Sequence, residues 1–124
     1  MEESLFDQVG GEAFFIQLVD AFYVAVEQDP TLRPMYPEDL TDSKQHFTMF
    51  LIQYWGGPRT YQEERGHPRL RMRHAQFEIT KSARDAWIRA MDVALESVRT
   101  QLTDEQFESM TSYFQMAATQ LRNT

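Results

Sequence analysis

The stretch that decides the fold is residues 69–124, RLRMRHAQFEITKSARDAWIRAMDVALESVRTQLTDEQFESMTSYFQMAATQLRNT. It contains neither Gly nor Pro, and its apolar residues recur every three or four positions, which places them on one face of an α-helix. Within this stretch, a long helix is predicted from Thr80 to about Gln101. Its apolar face consists of Trp87, Met91, Ala94, Leu95 and Val98. Thr103 and Gln106 then form a capping-box pattern at the start of a last helix.

Because residues 69–124 predict helices without a hairpin signal, the chain is expected to be all-α, and the rest of the sequence agrees with this fold class. All five Pro and three of the five Gly lie between residues 30 and 68, so long helices are expected on either side. Gly10 and Gly11 should end a short first helix, and a long one is predicted over residues 12–28. Its buried stripe is Phe15, Leu18, Val19, Phe22 and Val26, with Tyr23 at the edge.

The middle third should contain corners and shorter elements. Residues 29–37 predict a tight corner, because Pro disfavours helix at the preceding residue. A helix is expected over about 41–55, capped by Thr41, Asp42 or Ser43. Its buried stripe would be Phe47, Phe50, Leu51 and Tyr54. We expect a polar loop over 57–67 and a short helix from Pro68.

Composition limits the possible functions. The 124 residues indicate one domain, 1–124, and carry 12 Lys and Arg against 19 Asp and Glu, a net charge of −7. An acidic chain is a poor partner for nucleic acid or anionic lipid, and no apolar run is long enough for stable membrane insertion. With no Cys, disulfides and thiolate metal sites are excluded. We therefore expect a soluble, cytoplasmic protein.

One segment is basic, although the chain as a whole is acidic. Residues 67–74, HPRLRMRH, hold Arg69, Arg71 and Arg73 beside His74 without any acid. This is either a solvated basic face or an anion site, since Arg offers a planar fork of donors for carboxylate or phosphate.

His74 is the candidate metal ligand. Leu70, His74 and Phe77 are spaced by four and three residues, so a helical turn would present the imidazole between apolar groups. Such a turn suits the axial ligand of a large flat metal cofactor, although a packed histidine would show the same pattern. Zinc held by His67 and His74 is a weaker alternative, because no acid nearby completes a tetrahedral site.

Several runs in this order resemble the group II truncated haemoglobins, shortened globins with a two-over-two helical sandwich around haem. The similarity covers nearly the whole chain. It rests on Val9-Gly-Gly11, Phe22-Tyr23, Leu32 to Pro37, Tyr54 to Tyr61, Arg65 to His74 and Arg84-Asp-Ala-Trp87.

The resemblance implies a role for each matching position. His74 matches the proximal ligand of the haem iron, and Tyr23, Tyr36 and Trp87 match a distal polar cluster. Arg73 and Tyr61 match positions close to the haem propionates. The other implied pocket residues are Ser43, Phe47, Phe50, Tyr54, Leu70, Phe77 and Met91.

These assignments imply a protein that holds haem b and binds O₂, with CO and NO as further ligands. Phenol and indole donors at the distal side should slow O₂ release. The alternative is a redox enzyme at the same site, peroxidase-like or nitric-oxide-detoxifying, with an external electron donor. A cofactor-free helical interaction module is the remaining alternative, and a homo-oligomer stays open.

Overall fold

The computed structural model describes residues 3–65 and 78–123. These two ranges are helical and contain no β-strand, which confirms the predicted fold class. The α-helices are α1 (Leu5–Gln8), α2 (Glu12–Gln28), α3 (Thr41–Tyr54), α4 (Thr60–Arg65), α5 (Lys81–Ser97) and α6 (Asp104–Leu121). Two 3₁₀ turns, Arg33–Met35 and Arg99–Gln101, complete them. No helix within the described ranges has the length and apolarity that crossing a bilayer requires.

The fold is two pairs of helices in contact: α2 with α3, and α5 with α6. The two pairs meet mainly where α2 packs against α5. Three of the residues buried on α5 are alanines, Ala86, Ala90 and Ala94, each at most 4% exposed. Because alanine ends at Cβ, large α2 side chains can fill the space between the helices. Those buried on α2 include Phe15, Leu18, Val19, Phe22 and Val26.

The corner after α2 is held by its own polar groups. The Asp29 carboxylate accepts the backbone N–H groups of Thr31 and Leu32, at 2.8 and 3.1 Å. The Arg33 guanidinium donates to the carbonyls of Pro37, at 3.0 Å, and Glu38, at 2.9 Å. These bonds replace the helical ones that Pro interrupts. The corner therefore has one defined shape, and it positions Tyr36.

Both long C-terminal helices begin as the sequence predicts. The Thr80 hydroxyl accepts the N–H of Ala83 at the start of α5. Thr103 and Gln106 form the predicted capping box of α6. The ranges predicted for α2 and α3 are also confirmed within one residue. The short helix predicted from Pro68 lies outside the described residues.

Three local predictions are wrong. The expected loop 57–67 contains α4, a turn anchored by Tyr61, which is only 5% exposed. The start of α3 is capped from outside the helix, because the Asp39 carboxylate accepts the N–H of Thr41 at 2.9 Å. Tyr54 is 50% exposed, and the buried residues of α3 are Leu51 and Ile52.

The close approach of α2 and α5 can be tested with Ala90→Leu, which adds volume to a site 4% exposed. Overpacking of this kind costs about 1–3 kcal/mol of unfolding free energy. Denaturant unfolding should show that loss. Ala13→Leu is the matched control, because Ala13 lies on an exposed position of α2 and should change stability by less than about 0.5 kcal/mol. Equal effects of the two changes would contradict the close α2–α5 contact.

Candidate functional site

A cavity of about 440 Å³ lies between the two helix pairs and the corner after α2. Residues from α2, α3, α4, α5, α6 and the corner line it, and most are apolar or aromatic. This is the size and lining of a small-molecule or cofactor site. Seven of the residues predicted for the site line the cavity: Tyr23, Tyr36, Ser43, Phe47, Phe50, Tyr61 and Trp87.

Two tyrosines meet at one wall. The rings of Tyr23 and Tyr36 lie edge to face, with centroids 5.6 Å apart. Tyr23 is 3% exposed, and burial raises the pKa of its phenol well above the ordinary value. The neighbouring Tyr36 raises this pKa further, whereas a hydrogen bond from Ser43 partly lowers it. Burial and the neighbouring Tyr36 together keep Tyr23 neutral, so that its O–H remains a hydrogen-bond donor.

Trp87 joins these tyrosines from α5. Its ring lies 5.2 Å from that of Phe22, the residue before Tyr23 on α2. Burial raises the pKa of Tyr36 to about 12, and hydrogen bonding with Trp87 works in the lowering direction. An indole N–H only donates, so Trp87 donates to the Tyr36 phenol oxygen. One indole and two phenols therefore converge in a largely apolar cavity.

Phenylalanines set the shape of the remaining wall. Phe47 lies between the polar groups, with its ring 6.4 Å from Tyr23 and 6.3 Å from Trp87. Phe50, one turn further along α3, packs edge to face on Tyr61 at 5.6 Å. Phe47 therefore limits the volume beside the donors, while Phe50 and Tyr61 extend the apolar surface toward α4.

Two predicted pocket residues are not on the cavity wall. Met91 is 1% exposed and belongs to the hydrophobic core that packs beside Trp87. Tyr54 points outward and stacks on Tyr113, with ring centroids 4.2 Å apart. Four further predicted residues, Leu70, Arg73, His74 and Phe77, lie outside the described residues.

The sequence analysis missed part of the lining. His46 lies directly before Phe47 on α3, and Ile79, Ala83 and Arg84 approach from the start of α5. The Arg84 guanidinium bonds the Thr119 hydroxyl at 2.8 Å and the Asp85 carboxylate at 2.7 Å, which ties α5 to α6. Arg84 belongs to the Arg-Asp-Ala-Trp run, and that run was the one available signal. Tyr113, Phe114, Ala117, Ala118 and Leu121 complete the wall on α6.

An all-helical chain with an aromatic cavity between two helix pairs, and phenol and indole donors on one wall, has the architecture of a truncated globin. The bacterial-like globin family model matches residues 4–120. The chain belongs to this family. Family membership implies a haem cofactor and haem-based binding of O₂ and other diatomic gases.

Individual relatives and solved structures agree with this family assignment. The group 2 truncated hemoglobin YjbI of Bacillus subtilis (strain 168) is 48% identical over 88 residues, 71% of this chain and 67% of the relative. A hemoglobin structure from Chloroflexus aurantiacus superposes with a TM-score of 0.94 at 48% identity, covering 99% of this chain and 100% of that one. A truncated oxygen-avid haemoglobin from Bacillus subtilis gives a TM-score of 0.91 at 39% identity, with 98% and 100% covered.

The cavity fits the implied cofactor. Apolar and aromatic walls such as Phe47, Phe50, Leu51 and Phe114 suit the faces and edges of a flat porphyrin. Two phenols and one indole, from Tyr23, Tyr36 and Trp87, are gathered at one wall of the cavity. Such clustering suits a small polar ligand at one face of the cofactor.

The burial of Tyr36 can be tested by pH. Its pKa is raised from 10.0 to about 12, so above pH 10 the unfolded chain loses this proton before the folded chain does. The contribution to stability is therefore complete below pH 10 and falls as the pH rises toward 12. Tyr36→Phe should lose less unfolding free energy over that interval than the wild type, by on the order of 1 kcal/mol. Identical pH profiles in chemical denaturation would contradict the burial of this phenol.

Proposed function

We propose that the protein binds one haem b through His74, takes up O₂ at the opposite face and releases it slowly. The observation that carries this proposal is the convergence of Tyr23, Tyr36 and Trp87 at one wall of the cavity. Family membership supports the cofactor, and the oxygen-avid haemoglobin among the structural neighbours supports the slow release.

Each part of the pocket has a proposed task. His74 would bind the iron, with Leu70 and Phe77 against the ring beside it. Ser43, Phe47 and Phe50 would cover the distal face, while Tyr61 and Arg73 would contact the propionates. When bound, haem b supplies an iron atom with one coordination position open to a diatomic gas.

The distal groups are arranged to donate hydrogen bonds. The phenol oxygen of Tyr36 accepts from Trp87, and that of Tyr23 interacts with Ser43. Each phenol keeps its own hydrogen for another acceptor, and accepting one bond strengthens the bond that it donates. A partly charged acceptor gains about 1.5–3 kcal/mol from each such bond. Two bonds, if additive, slow the escape of O₂ by a factor on the order of 10² to 10⁴.

Slow release makes storage, sensing or chemistry a better role than transport. The redox alternative, peroxidase-like or nitric-oxide-detoxifying, uses the same pocket and needs an electron donor from outside. Steady-state turnover with a reductant distinguishes it from ligand binding alone.

Trp87→Phe tests the hydrogen bond that supports the Tyr36 phenol. It keeps an aromatic ring packed against Phe22 and Phe114 but removes the N–H that bonds Tyr36. O₂ dissociation, measured by stopped flow on the haem-loaded protein, should accelerate at least about tenfold, which corresponds to roughly 1.4 kcal/mol. CO is a poorer hydrogen-bond acceptor, so its release should change less and serves as the internal control.

The second variant, Tyr23→Phe, removes one of the two phenols that donate to the ligand. Tyr36 is close enough to compensate, at 5.6 Å between ring centroids, so the double variant Tyr23→Phe/Trp87→Phe is needed. Equal O₂ release from the wild type, Trp87→Phe and the double variant would contradict the proposed distal hydrogen bonds.

A further inference from the structure

Five aromatic side chains connect the cavity with the protein surface. Trp87, on the cavity wall, has its ring centroid 5.8 Å from that of Phe114 on α6. Phe114 lies 5.6 Å from Trp55, and Trp55 lies 5.1 Å from Tyr113. Tyr113 stacks on Tyr54 at 4.2 Å, with an angle of 30° between the rings. We call these five residues the aromatic relay.

The two ends of the relay differ in exposure. Tyr54 is 50% exposed, although large aromatic side chains usually bury most of their surface. Tyr113 stacks on Tyr54 and also lines the cavity, and burial raises the pKa of Tyr113 to about 12. The relay therefore begins in the cavity and ends at a phenol in contact with water.

The residue types suit the transfer of single electrons. Tyrosine and tryptophan are the side chains that lose one electron most readily when Cys is absent, and this chain has no Cys. Phe114 is not readily oxidised, so an electron passes it in a single step between Trp55 and Trp87, whose ring centroids lie 5.6 and 5.8 Å from that of Phe114. An exposed tyrosine can also release its proton directly to water.

We propose that the exposed Tyr54–Tyr113 pair is a one-electron exchange site, where a small aromatic donor such as a phenol delivers electrons that the relay carries to the haem pocket. This inference rests on the proposed haem site and names the part of the surface that its external reductant contacts.

The reaction balances with hydrogen peroxide as the oxidant. Two phenol donors each give up one electron and one proton, the O–O bond of peroxide breaks, and two water molecules form. The donors leave as phenoxyl radicals. Without a donor, Tyr54 and Tyr113 supply the two electrons and two protons themselves. Their two phenoxyl rings then join through a new carbon–carbon bond, each ring carbon losing its hydrogen as the phenols re-form.

This dityrosine bond is the marker for the site. Trypsin should release Tyr54 in peptide 45–59 and Tyr113 in peptide 100–122, and each peptide contains a single tyrosine. The haem-loaded protein is treated with hydrogen peroxide, digested and examined by mass spectrometry. We expect the main cross-link to join these two peptides, in a yield independent of protein concentration, and to disappear when phenol is added.

Variants separate the exchange site from a general effect of surface tyrosine. Tyr54→Phe keeps the stacked ring but cannot be oxidised in this way. It should abolish the cross-link and slow phenol oxidation at least about tenfold, or about 1.4 kcal/mol in barrier. Tyr54→Phe/Val93→Tyr restores an exposed phenol at a position of α5 that is 62% exposed and outside the relay. It should not restore either property.

Three results would overturn the proposal in haem-loaded protein with a normal Soret band. The first is peroxide left unreduced, and the second is oxidation confined to peptide 1–44, which contains Tyr23 and Tyr36. The third is phenol oxidation by Tyr54→Phe at the wild-type rate, which means that the donor enters the cavity directly. Failure to take up haem at all would instead refute the proposed function, and this inference with it.

Discussion

The architecture depends on how closely α2 can approach α5. Ala86, Ala90 and Ala94 are buried on α5, and side chains this small allow a neighbouring helix to come close. Two cavity residues stand immediately beside this contact in sequence: Tyr23 follows Phe22, and Trp87 follows Ala86. Because the Phe22 and Trp87 rings lie 5.2 Å apart, the separation of α2 and α5 also affects how close Tyr23 and Trp87 lie. Larger residues at the alanine positions would move the donors as well as destabilise the core.

The cavity beside this helix contact holds a few polar groups in apolar surroundings. Burial opposes ionisation of Tyr23 and Tyr36, and a neutral phenol is the form that donates a hydrogen bond. Hydrogen bonding with Ser43 and Trp87 acts in the opposite direction on these two pKa values, and burial outweighs it. A low-polarity environment strengthens bonds to a partly charged ligand, because little water competes for the donors. The same packing that stabilises the fold thus prepares the proposed site.

The sequence predicts what depends on neighbours along the chain. Periodicity located α2 and α5, and the Thr103–Gln106 pattern located the start of α6. Tyr54 was predicted to be buried because helical spacing does not show which residues at the edge of an apolar face are covered by a neighbouring helix. The short helix α4 was missed because its sequence offers only one buried aromatic residue, Tyr61. The proposed roles of Tyr23 and Trp87 came from resemblance to a family, since no local pattern brings α2 and α5 together. Arg84 and Phe114 reach the cavity only through long-range packing, which is why they were missed.

The central claim, that a single haem is held through His74, is tested most directly by the visible spectrum of the ferrous protein during titration with haem. The account predicts a Soret band that saturates at one equivalent, with the spectrum of a five-coordinate haem in the absence of gas. His74→Gly should lose that spectrum, and added imidazole should restore it. Absence of a Soret band in the wild type, or a ferrous spectrum unchanged in His74→Gly, would contradict it.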